Sequence, residues 1–206
     1  MMRGTDMIGR DLGSTLLRSA ATLIVATGLV LAMAMKPSTA AAQEPAVEFM
    51  KRVAKDLIAA ANSGSAQAFA DAINRYGHFR AIGDYALGTY KPRLQPTDRE
   101  IYYSGMVRFI ARYAAGEAPK YPVSHAEFFS PPTHTSKGVF VDSRVHLKDG
   151  SSYDVQWRLI PHGASYRVFD AQVLSFWMTP FLKDLFERYV NDNGGNVQAL
   201  VVALNR

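Results

Sequence analysis

The sequence predicts an α+β fold, with helices packed on one face of a curved antiparallel sheet of about four strands. Two observations carry this. Apolar residues recur at helical spacing over 46–116, at alternate positions over 121–174, and at helical spacing again over 176–205. Two turn signals, Asp149–Gly150 and the "PHGAS" around His162, break the alternating stretch into hairpins. A chain of 206 residues suits one domain of this kind.

The elements follow in order. Ala46 to Ala61 places Val47, Met50, Ala54, Leu57, Ile58 and Ala61 on one helical stripe, and "NSGS" stops it. Ala66 to Tyr76 reads as a second helix, and His78 to Leu87 as a third with Phe79, Ile82, Tyr85 and Ala86 inward. "GTYKPRLQP" reads as a loop. "TDRE", Thr97 to Glu100, has the form of a capping box, and it opens a helix with Tyr102, Met106, Phe109 and Tyr113 on one stripe and Gly116 at its end. "YPVSHAEFFS" is the first strand. "GVFVDSRVHLKDG" aligns Val139, Val141, Val145 and Leu147 on one face. "YDVQWRLIPHGASYRVFDAQV" makes the remaining hairpin, with Tyr153, Val155, Trp157 and Leu159 on one face of its first strand and Asp154, Gln156 and Arg158 on the other. Thr179 and Pro180 have the cap and first-turn residue types of a helix with Met178, Phe181, Leu182, Leu185, Phe186 and Tyr189 on its stripe. "NDNGGN" breaks it before a last helix, Val197 to Leu204.

Residues 1–42 are of another kind. Arg3, Arg10 and Arg18 precede an uncharged run, Ser19 to Met35, and small residues at Ala40 and Ala42 follow. That is the order of a secretory signal peptide, with cleavage expected after Ala42 and export as the consequence. The competing reading is an uncleaved anchor, for which 17 uncharged residues are marginal. Removing residues 1–42 lowers the formal net charge from +5 to +3 and weakens any case for nucleic acid as a partner. The chain has no cysteine, so disulfides, thiol catalysis and thiolate metal sites are excluded.

Catalytic signatures are absent from the sequence. The five histidines, His78, His125, His134, His146 and His162, include no pair at ligand spacing, so a metal site would require distant residues to converge. His146 shares a strand face with Asp142, Arg144 and Lys148, which reads as a solvated face. Gly105, beside Ser104 in mid-helix, reads as a point of close helix packing. Asp170 is the one acid in a mostly apolar strand. It is either a general base in a cleft, as in small α+β isomerases, or a structural acid that bonds a loop or pairs with Arg158 or Arg167.

Three stretches resemble the MlaC family of periplasmic phospholipid carriers, also called the toluene-tolerance family. They are "ALGTYKPRLQPTDREIYYSGMVRFIARYAAG" (Ala86 to Gly116), the strand "YDVQWRLI" (Tyr153 to Ile160), and "YRVFDAQVLSF" (Tyr166 to Phe176) with the closing "VQALVVALN". "SFWMTPFLKDLF" departs from the polar run often found there. The resemblance implies a helical subdomain plus a nuclear-transport-factor-like curved sheet enclosing an apolar pocket for acyl chains, in a monomer with no cofactor. It implies a phospholipid, or in a related branch a hopanoid-like lipid, as ligand. It also implies an inner-membrane ABC transporter and an outer-membrane lipoprotein complex as partners. On that reading the pocket walls are Val139, Val141, Val155 and Trp157 from the sheet, with Tyr85, Tyr102, Met106, Phe109, Phe176, Phe181 and Leu182 from the helices. The alternative for each residue is plain core filling, because core and pocket stripes share one periodicity.

Overall fold

Six α-helices and an open antiparallel sheet of six strands are formed by the described residues. The structure, a computed structural model, describes residues 45–129 and 131–206; the signal peptide assigned to 1–42 lies outside them. The helices are α1 (Ala46–Ser63), α2 (Ala66–Tyr76), α3 (Phe79–Leu87), α4 (Arg99–Glu117), α5 (Met178–Asp192) and α6 (Val197–Leu204). The strands are β1 (Val123–Phe128), β2 (Thr133–Thr135), β3 (Gly138–Leu147), β4 (Ser152–His162), β5 (Ser165–Val173) and β6 (Phe176–Trp177). Strand order is β1-β3-β4-β5-β6, with β2 pairing the start of β3.

Local chemistry sets several boundaries. Gly64 takes φ +63° and ends α1 in a left-handed cap, a conformation open to glycine at little cost. Ser65 caps α2 by accepting from Ala68 N at 3.2 Å. Asn196 does the same for α6 through Gln198 N at 3.0 Å.

α4 is central because it is apolar on two sides. Tyr102, Tyr103 and Met106 enter one core with α3, α5 and α6, while Val107 and Ala111 enter another with α1 and α2. Gly105 permits the close crossing of α6, since a Cβ there would lie 3.0 Å from Leu204 Cβ. α1 turns Phe49, Met50 and Val53 onto the sheet against Val139, Val141, Leu159 and Tyr166.

Several sequence expectations change. The sheet has six strands, not about four: β2 and β6 are too short to show a period, and Phe176–Trp177 is strand, not the start of a helix. The 88–98 loop is wound into 3-10 turns. Those turns place Thr97 in helical backbone already, so "TDRE" makes no capping box, and Glu100 instead accepts from Arg80 at 2.6 and 2.8 Å, tying α4 to α3. Gly116 stays helical, and α4 runs to Glu117 before a 3-10 turn containing Pro119. The buried stripe of α1 is rotated toward Phe49, Val53 and Ala60, leaving Val47, Leu57, Ile58 and Ala61 half-buried. α5 begins at Met178, so Thr179 lies inside it.

Candidate functional site

The sheet has one apolar face and one polar face. Strand register aligns the apolar side chains in rows across it: Ala126, Val145 and Tyr153; Phe128, Ser143, Val155, Val173 and Phe176; Val141, Trp157 and Ala171; Val139, Leu159 and Val168. The other face carries Arg144, which donates twice to Asp154 at 2.7 and 3.1 Å, and Gln156, which donates to Asp142 at 2.8 Å. Arg158 on that face lies 4.6 Å from the Phe169 ring centroid and donates to the Lys137 carbonyl.

The apolar face divides in two. Its Val139–Leu159 end is covered by α1. Its other end is a cluster of Val145, Leu147 and Val155, flanked by Val123, Ala126, Tyr153, Ala171 and Val173, to which no helix contributes among the described residues. Trp157 belongs to both halves. Its ring is pinned: Nε1 donates to Ser143 Oγ at 2.9 Å, and that hydroxyl donates to the Val155 carbonyl at 3.1 Å. Ser143 is fully buried, and these two bonds satisfy it. The face therefore presents no unpaired polar group here although it contains a hydroxyl and an indole N–H. Burial holds the Tyr153 phenol above its usual pKa, as expected for a ring in low-dielectric surroundings.

The eleven wall residues expected from the sequence fall into three places. Val139, Val141, Val155 and Trp157 share the apolar sheet face. Tyr102, Met106, Phe109 and Leu182 come together in the core of α3, α4, α5 and α6, which contains no sheet residue. There Tyr102 is fully buried and donates to the Gly83 carbonyl at 2.8 Å. Tyr85, Phe176 and Phe181 are exposed, at 44%, 70% and 58%. Tyr85 makes an edge contact with Phe169, and Phe176 pairs with Val173, extending the apolar row by one strand. Sequence reasoning left Ser143 out. Its place among the valines of β3 was the available signal, since a hydroxyl on a buried face needs a partner.

Asp170 serves structure. A bulge at Phe169 shifts β5 so that Asp170 pairs with Arg158 on the polar face. Its Oδ1 accepts from Thr179 N at 2.8 Å and Ala171 N at 2.9 Å, and the Thr179 hydroxyl donates to the Phe169 carbonyl at 3.0 Å. Asp170 thus caps α5 from β5, the role the sequence assigned to Thr179. Burial raises its pKa, opposed by the Thr179 and Ala171 bonds and by Arg158. A dent of about 240 Å³ lies among Arg93, Leu94, Gln95, Asp98 and the Gly195–Gln198 segment. Its lining mixes polar and apolar groups, and it falls below the roughly 300–1,000 Å³ of usual ligand pockets.

An open antiparallel sheet, apolar on one face and joined to a helical layer, defines the scaffold as α+β. The comparisons identify its family. The chain belongs to the MlaC family: the model for "MlaC protein" matches residues 43–206. Its fold is similar to that of a phospholipid-binding protein from Ralstonia solanacearum solved in complex with a phospholipid, with a TM-score of 0.61 and 18% identity over 79% of this chain and 96% of that one. No curated protein sequence matches.

Proposed function

We propose that the protein carries lipid through the periplasm, after export and removal of residues 1–42. It would hold acyl chains against the apolar sheet face around Val145, Val155, Trp157 and Val173, with Phe176 at the rim. The observation that carries the reading is the strand-only apolar cluster with its pinned Trp157. Membership of the MlaC family and the phospholipid in the Ralstonia protein of like fold support it.

The physical requirement is simple. Exposing acyl chains to water costs about 0.8 kcal/mol per methylene, or about 25 kcal/mol for around thirty, so free lipid does not cross an aqueous gap. A carrier replaces the bilayer with an apolar wall and leaves the head group in water, which needs no catalytic or polar site. Exchange with an inner-membrane ABC transporter and an outer-membrane lipoprotein complex completes the cycle in this reading.

Lipid mass spectrometry of the purified protein tests the proposal. A phospholipid at about one molecule per chain is the expected result, and a hopanoid in its place would assign the carrier to the other lipid class. No co-purifying lipid together with no uptake from phospholipid vesicles would overturn it.

A further inference from the structure

A second site lies on the polar face of the sheet, at the β1–β3 edge. His125 pairs with His146 across the strands, and Glu127, two residues on, stands on the same face as His125. A bulge at Ser124 creates this arrangement. Val123 pairs with Leu147, so an unbroken register would set His125 opposite Val145 on the apolar face. The extra residue moves it beside His146.

The three side chains offer one carboxylate and two imidazoles, with ligating atoms all within 4.8 Å of one another. Glu127 Oε2 is 3.5 Å from His146 Nε2, and Oε1 is 3.9 Å from His125 Nε2. The His146 Nε2 atom is buried and makes no hydrogen bond. His125 is oriented by Ser124 Oγ, 3.2 Å from its Nδ1, which engages the far ring nitrogen and turns Nε2 toward the carboxylate, as outer-shell partners of metal-binding histidines do. Arg144, opposite Glu127 on this face, donates to both oxygens of Asp154. The rings are stacked at 4.4 Å and 3°, so for both Nε2 lone pairs to meet one ion the exposed His125 ring must turn out of the stack.

The geometry points to a binding site for a divalent transition-metal ion, of the zinc or copper class, formed by His125, Glu127 and His146. Two imidazoles and a carboxylate suit these ions, and water would complete the coordination. Bonds of about 2.0–2.2 Å require the groups to close by an ångström or two. His125 and Glu127 can supply that movement, because their side chains are more than half exposed. The site faces away from the apolar wall and needs no lipid.

Titration calorimetry of the purified protein with Zn²⁺ at neutral pH tests it, alongside His125→Ala and Glu127→Gln. Both variants alter exposed groups, and unchanged melting curves would verify their folding. The expected result is one ion per chain, with affinity reduced at least about tenfold in each variant and unchanged in His134→Ala. Absence of saturable binding, or a smaller loss in either variant, would overturn the site.

Discussion

The core shared by α3, α4, α5 and α6 and the apolar face of the sheet each contain a pinned aromatic. Tyr102 donates to a helix carbonyl, and Trp157 donates to a strand hydroxyl. Their surroundings differ. Tyr102 is enclosed by residues from four helices, among them Phe186 and Leu200, which fill the space around it. Trp157 has α1 on one side and a cluster of strands on the other. Similar side chains thus make a core filled from four helices in one place and a cluster built from strands alone in the other.

Substitutions can break or sharpen that contrast. The largest effect is expected for Tyr102→Ala, which opens a cavity in a closed core and loses about 3–5 kcal/mol in urea unfolding. Lipid content per folded molecule should stay unchanged, and a selective loss of lipid would place Tyr102 in the wall. Val145→Glu should lower lipid binding as well as stability, because Val145 is itself buried. A carboxylate facing acyl chains costs more than about 1.4 kcal/mol, so lipid uptake from vesicles should fall at least about tenfold. Trp157→Phe removes the bond to Ser143 and should cost about 1 kcal/mol in a chemical melt while lipid uptake persists.

Asp170→Asn sharpens the contrast between a capping and a catalytic acid. Folding raises the Asp170 pKa above 3.8, so its contribution to stability is full below that value and is lost as pH rises through the folded-state value. The Asn variant keeps the acceptor for both N–H groups, should lack that pH dependence in thermal melts, and should retain lipid binding. The smallest effect on stability is expected for Phe176→Ser, within about 0.5 kcal/mol, because the side chain is solvent-exposed. Slower lipid uptake by that variant, measured by fluorescence transfer, would confirm Phe176 at the rim.

Much of this was legible in the sequence. The bounds of α2 and α6, the faces of β3 and β4, and Trp157 opposite Arg158 all follow from period and turn chemistry. The division of the wall residues was not legible. Tyr102, Met106 and Leu182 carry a stripe that fits a core and a pocket equally well, and only the structure shows that they pack among residues of α3, α4, α5 and α6. The signal for α5 was misread at Thr179 because its cap comes from Asp170, nine residues earlier on another element.

The sequence by itself determined the α+β order, the apolar and polar alternation of the strands, and the residues that mark the family. Only the tertiary structure decided which alternate residues share a face where the count slips. Alternation fixes a face relative to its neighbours, and one inserted residue reverses everything beyond it. The bulge at Phe169 takes Asp170 off the wall beside Trp157 and gives it to α5, and the bulge at Ser124 takes His125 off the same wall and sets it against His146. Both bulges keep a polar group off the apolar face, and neither has a local sequence signature.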